Sequence, residues 1–435
     1  MKKTKQIKLA LIISLIFIAD IELFAQFSIT AELRPRTEFR NGFKRLREKR
    51  TDPAFFIEQR TRLYLDFQKD RIWLNIALQD IRMWGSTDQV YKSDPTLQNI
   101  YEAWARYAID EKHALKIGRQ AMDYDNARFL GNLDWAQQGR SHDALLFTRQ
   151  DTERNCELHL AFAYNQQIDF EPGKLSGTEY IGVNNYKTMI FGWWTKKFSD
   201  GGISLLVHND GRQVQSDTSM AYRQTYGVLG NYNLGEIKLD GEFYYQGGKN
   251  GNDAGVSGLL IALHGTLETD ITPLTLGFEY LSGTARGEDK DKSFDPLYGT
   301  NHKFYGFMDY FYVGNYHGQA SGGRTSGLID AMVKTKFKIG QKSNLTADLH
   351  YFASPVKIYV GFGTFGDTYG STLGAEIDLV YSLELTKDVK LNLGYSHMFA
   401  TETMEAIKGG DHTVLNNWAW AMISFKPQLF TTAKD

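Results

Sequence analysis

The 435-residue chain has a formal charge of −2, 41 glycines, 8 prolines, 14% aromatic residues and a single cysteine, Cys156. Near-neutrality excludes a bulk electrostatic pull toward nucleic acid, and one cysteine excludes an intramolecular disulfide. Abundant glycine and aromatics with little proline suit many strands joined by turns.

Residues 1–25 read as a secretory signal peptide. Lys2, Lys3, Lys5 and Lys8 precede an apolar core over 9–19, and Leu23-Phe24-Ala25 before Gln26 supplies a cleavage site. The apolar run is shorter than the ~20 residues that a spanning helix needs. Asp20, Glu22 and Leu23 depart from the usual pattern, and a membrane-anchoring helix is the alternative. Residues 26–435 are expected to form a single domain, with no folded plug ahead of the first strand.

From Gln26 onward apolar and polar residues alternate in runs of about ten, the period of strands with one apolar and one polar face. Ile57, Leu63, Leu65 and Phe67 oppose Glu58, Arg60, Arg62 and Asp66; Leu239, Phe243 and Tyr245 oppose Lys238, Asp240 and Glu242. A soluble sandwich would alternate in the same way, so the connections decide. Short turns, such as Lys69-Asp70 and Lys387-Asp388, alternate strictly with longer loops over 41–56, 83–96, 121–142, 165–184, 211–220, 247–253, 282–324, 353–367 and 401–416. Nine loops and eight turns predict an all-β, antiparallel up-and-down transmembrane barrel of about 18 strands, with long outer loops and short periplasmic turns. Aromatics near strand ends, among them Trp73, Tyr101, Tyr107, Trp193, Tyr244, Tyr245, Tyr351, Tyr395, Trp418 and Trp420, are expected in interfacial girdles.

With the apolar face toward lipid, the polar face lines the lumen. The first five strands then present Arg34, Arg36, Arg60, Arg62, Arg106, Lys116 and Arg119 inward, interleaved with Glu32, Glu38, Glu58 and Glu102. An arginine on the lipid side would cost about 2–4 kcal/mol at mid-membrane. Two roles fit: an anion-selective constriction, or cross-strand ladders that fill the interior with paired charge. Glu376, Asp378 and Glu384 on a late strand make an acidic counter-wall.

The stretch 118–143 is too long for a hairpin and too rich in Asp, Arg and Trp for a disordered linker. Gly118-Arg119-Gln120, then Tyr124-Asp125-Asn126-Ala127-Arg128, then Gly139-Arg140-Ser141-His142-Asp143-Ala144 resemble the central signature of the alginate-export outer-membrane porins. A second block from Phe294 to Asp309, containing His302, is similar to the version in Bacteroidetes-type members. The resemblance implies a monomeric 18-stranded barrel with an arginine-rich, anion-selective pore that passes a linear polyuronate, with periplasmic export components as further partners. By position it assigns the pore-lining role to Arg119, then to Arg128 and Arg140. Gly118, Gln120, Asp123, Asp125, His142, Asp143, His302 and Asp309 belong to the loop motifs. The tight turn at Lys387-Asp388 departs from the family's founding exporter, which has a long pore-plugging turn in this region.

Ser141-His142-Asp143 holds the letters of a hydrolase triad, but adjacent residues cannot converge as triad members from separate elements do. No catalytic residue is expected. Asp123, Asp125 and Asn126 have a spacing reminiscent of calcium ligands, but they lack the glycine and distal glutamate of a helix–loop–helix site. Ordinary turn chemistry is the simpler account, so no cofactor is expected. Phe304, Tyr305, Phe307, Tyr310, Phe311 and Tyr312 crowd the longest loop, where self-packing would bury them. The resulting expectation is an outer-membrane channel, in contact with lipid, for passive passage of acidic saccharides or other small anions. A non-transporting barrel whose long loops bind a surface partner or polysaccharide is the alternative.

Overall fold

A computed structural model describes residues 25–90, 97–166, 185–214, 219–361 and 366–433. The segment 1–25, expected to be a signal peptide, lies outside these residues except for Ala25. The polar and apolar faces read from the sequence are the inner and outer faces of one closed antiparallel sheet. Each strand pairs with its neighbours in chain order: β1 (Gln26–Asn41), β2 (Ala54–Lys69), β3 (Ile72–Met83), β4 (Leu97–Ala108), β5 (His113–Gln120), β6 (His142–Asp151), β7 (Cys156–Tyr164), β8 (Thr188–Lys197) and β9 (Gly201–Gln213). The wall continues through β10 (Met220–Leu234), β11 (Ile237–Lys249), β12 (Gly255–Leu267), β13 (Leu274–Leu281), β14 (Leu328–Lys338), β15 (Ser343–Ala353), β16 (Thr372–Thr386), β17 (Val389–Ala400) and β18 (Asn416–Phe425). β1 pairs with both β2 and β18, so no edge is left open. The tail does not simply overhang: after Pro427 a short β19 (Gln428–Thr431) pairs with the start of β1 and lengthens the seam.

Eighteen wall strands agree with the expectation from alternation, and eight turns of two to six residues alternate with nine outer connections, seven of which run to 12 residues or more. Leu74, Ile76 and Leu78 of β3 point outward and exposed, while Asn75 and Gln79 are buried inside. Cross-strand pairing keeps this parity around the sheet, because a one-residue slip would turn each charged row outward. A bulge between Ala77 and Leu78 adds one residue to β4 and leaves both Tyr101 and Glu102 on the lumenal side. The aromatic expectation divides. Tyr107, Tyr245, Tyr351, Tyr395 and Phe399 are exposed on the exterior, whereas Tyr101, Trp193, Tyr244, Trp418 and Trp420 are buried inside. Alternation decides their side and strand-end position does not.

The buried core lies inside the barrel, where loop 121–141 and loop 282–327 fold into the lumen. Phe129, Leu130, Tyr298, Tyr305, Met308, Tyr310 and Phe311 from these loops are at most 7% exposed. The only α-helix among the described residues, α1 (Glu402–Lys408), sits in the last outer loop, capped by Thr401 and ended by Gly409 at a positive φ of +70°.

Candidate functional site

The basic wall is assembled by register. On β1 and β2, Glu32 lies opposite Arg62, Arg34 opposite Arg60, and Arg36 opposite Glu58, all facing inward. Arg60 forms an ion pair with Glu32, Arg36 Nε donates to Glu38 at 2.8 Å, and Arg62 Nε donates to Gln79 at 2.5 Å. Their remaining donors point into the lumen, where they meet loop 121–141. Arg34, Arg60 and Arg62 all contact the Asp134 carboxylate at 3.0–3.4 Å. The backbone carbonyls of five consecutive residues, Asp134, Trp135, Ala136, Gln137 and Gln138, accept from Arg34, Arg36, Arg60 and Arg62. Arg36 also lies over the Trp135 ring, 4.4 Å from its centroid. Burial alone would raise the Asp134 carboxyl, but Arg60, Arg34 and Arg62 outweigh it and hold the group below the ordinary value of 3.8.

The same loop crosses to the opposite wall. Arg128 is fully buried and makes two bonds to each of two carboxylates, Glu242 on β11 and Glu279 on β13, at 2.6–3.2 Å. Burial opposes its charge, yet the two carboxylates raise its pKa well above the usual value. Asn126 adds a bond to Glu242 at 2.5 Å, and Trp193 Nε1 donates to Asp125. Asp123 accepts from the Asn132 side chain.

Loop 282–327 closes over loop 121–141. Gly131 N donates to Tyr298 O and Thr300 N to Ala127 O, both at 2.9 Å. Arg140 donates to the carbonyls of Gly131, Tyr298 and Gly299, and burial lowers its pKa to about 10. The His302 ring stacks on Trp135 at 4.3 Å and 11°, and His302 Nδ1 bonds Asp309 at 2.7 Å. At its far end the loop turns on Gly306 (φ +81°), so the Phe307 and Met308 amides donate to Asp378 and Glu376 at 3.2 and 2.8 Å. A Cβ at Gly306 would lie 2.6 Å from Glu376 Oε1, so the sharp turn requires glycine. The acidic counter-wall therefore holds one loop and the arginine ladder holds the other.

The sequence-assigned residues separate into groups. Arg34, Arg36, Arg60 and Arg62 lie together on the lumenal wall. Arg106 and Lys116 also face inward, stacked over Trp73 and Trp104 at 4.5 and 3.9 Å. Arg128 and Arg140 do not line the wall: they hold the inserted loops. Arg119 is a correction. Its neighbours in the same row, Leu115 and Ile117, are exposed on the exterior, and Arg119 pairs there with Asp143 directly opposite at 3.1 Å. The family-like Gly-Arg-Gln fixes local geometry instead. Gly118 (φ +122°) passes so close to Ala103 O that a Cβ would sit at 2.3 Å, and the buried Gln120 amide donates to the Gly118 and Ala144 carbonyls. Ser141, His142 and Asp143 diverge: Ser141 Oγ donates to Tyr101 O, His142 Nδ1 meets Tyr186 OH inside, and Asp143 points outward. The sequence reading missed Asp134, Trp135, Gln137, Glu242 and Glu279 as partners. The inward parity of Glu242 and Glu279 was a usable signal, since a buried carboxylate demands a cation.

A family model described as alginate export matches residues 25–417. The chain belongs to the alginate export family. No curated protein sequence matches it significantly. Solved structures with a similar fold include the outer membrane protein OpdK of Pseudomonas aeruginosa, with a TM-score of 0.61 and 10% identity over 93% of this chain and 98% of that one. OpdL of the same organism gives 0.61 at 12% identity, covering 93% and 99%. A BenF-like porin from Pseudomonas fluorescens Pf-5 gives 0.61 at 11%, also covering 93% and 99%. Family and fold make this member of the alginate export family an outer-membrane channel of a Gram-negative bacterium, and not an enzyme.

Proposed function

We propose that this alginate export family member passes anionic solutes, acidic saccharides above all, through its basic lumen by passive diffusion. The supporting observation is what the arginine ladder already holds. Loop 121–141 offers it one carboxylate, Asp134, and the carbonyl oxygens of five consecutive residues. A polyuronate chain offers the same chemistry, carboxylates spaced among hydroxyl and ring oxygens. Arginine's planar fork suits carboxylates. An entering anion competes with the loop for the guanidinium groups, so passage and loop displacement are one event. Arg106 and Lys116 continue the basic wall below the loop. OpdK of Pseudomonas aeruginosa has been crystallised with vanillate, itself a carboxylate, which fits a lumen of this fold accepting anions. Residues 1–25 fit as the export signal.

Flux into proteoliposomes tests the reading. Uronate oligosaccharides should enter faster than neutral oligosaccharides of equal length, and added salt should narrow the gap. Equal rates for the two would remove the anionic-substrate reading and leave a general channel.

A further inference from the structure

We propose that the first outer loop, residues 42–53, docks phosphorylated glycolipid headgroups of the surrounding outer leaflet. The proposal rests on the outer-membrane location and not on the transported solute. The loop carries Lys44, Arg45, Arg47, Lys49 and Arg50 against Glu48 within seven residues. Inside the barrel, Arg34, Arg36, Arg60 and Arg128 are all in ion pairs. Among the described residues, Arg45, Arg47, Lys49 and Arg50 form none. Arg47 spends only its Nε, on Thr51 O at 2.9 Å. Lys49 merely helps to depress the exposed Asp411 carboxyl, behind the bonds that Thr413 gives that group.

The lumenal side of this loop is already covered. Lys44 N donates to Met308 O, Asn315 donates to Lys44 O, and Leu46 is buried against Gly410 beside α1. That leaves Arg45, Lys49 and Arg50 exposed on the remaining side. Below the loop, Phe39 and Phe55 lie opposite each other in register and are 36% and 69% exposed on the exterior. Aromatics outward with cations above them is the order of groups expected where acyl chains give way to charged headgroups. Cationic side chains near the membrane surface attract phosphate headgroups through their charge. The exterior aromatics and the covered lumenal side favour a membrane glycolipid over a soluble acidic saccharide.

The test uses the full-length protein in detergent micelles, with bisphosphorylated lipid A as the probe and native mass spectrometry as the readout. Gln at Arg45, Arg47, Lys49 and Arg50 together should weaken lipid A binding at least about tenfold, while heat-modifiable gel migration shows an intact barrel. Dephosphorylated lipid A should bind wild type as weakly as lipid A binds the variant. A charge-conserving variant, Arg45→Lys with Arg47→Lys and Arg50→Lys, should retain binding to within about threefold, since the headgroup field acts on charge. The proposal fails if the Gln variant binds within twofold of wild type, or if the Lys variant loses as much as the Gln variant. It also fails if a soluble uronate oligosaccharide displaces lipid A, because the loop would then be a mouth subsite for solute.

Discussion

Arg128→Met should release loop 121–141 from the far wall while leaving the barrel folded. The guanidinium is fully buried and makes four bonds to Glu242 and Glu279. Removing it strands two buried carboxylates, and breaking such a pair from one side costs about 3–5 kcal/mol. The lower end applies, because Asn126 still donates to Glu242 and His264 Nε2 still reaches Glu279 at 3.0 Å. About 3 kcal/mol shifts the docked-to-released ratio of the loop by roughly two decades. Hydrogen exchange over 121–141 should rise accordingly, and planar-bilayer recordings should show more frequent or larger open events. The thermal transition of the barrel should move little, since no strand pairing is touched. Adding Glu242→Gln and Glu279→Gln should recover much of the docking by removing the stranded charges. Arg128→Met with wild-type exchange and wild-type conductance would refute the idea that this ion pair holds the loop.

Three further outcomes follow from the same geometry. Gln at Arg34, Arg36, Arg60 and Arg62 together should lower anion preference in reversal-potential measurements, whereas Arg119→Gln should leave it unchanged because that side chain lies outside. Gly306→Ala, with its Cβ facing Glu376 and a backbone at φ +81°, should cost about 1–3 kcal/mol of local docking, read as greater protease sensitivity of loop 282–327. Because the arginines depress the Asp134 carboxyl, its contribution is complete above the unfolded value near 3.8 and is lost as pH falls through the lower docked value. Conductance of wild type should therefore change below about pH 4, and Asp134→Asn should flatten that dependence. The effect should shrink with salt, since the Asp134 side chain is 53% exposed.

Strand number, closure and the inward arginine rows were legible because period-2 alternation and the strict alternation of short and long connections are local properties. Arg34, Arg36, Arg60 and Arg62 could be assigned a side by parity alone. Arg119 was misassigned because its charge was placed inward with Lys116 although the two differ in parity, and the motif reinforced that placement: counting from Leu115 and Ile117 puts it outside. Whether loop 121–141 folded inward was not legible. That outcome depends on matching Arg128 to Glu242 and Glu279, more than a hundred residues away, and on five backbone carbonyls that carry no side-chain signature. The side of each aromatic was legible from the same parity, which puts Tyr107 outside and Trp418 inside; the loop partners of Trp418, Trp135 and His302, lie beyond any window along the chain.

The most direct test of the anionic-channel account is the reversal potential of the purified protein in a planar bilayer under a salt gradient. It should be recorded for wild type and for Arg128→Met. The account predicts a potential of the sign that marks anion preference in both proteins, with more current through the variant. Cation preference, or no current from either protein, would contradict it.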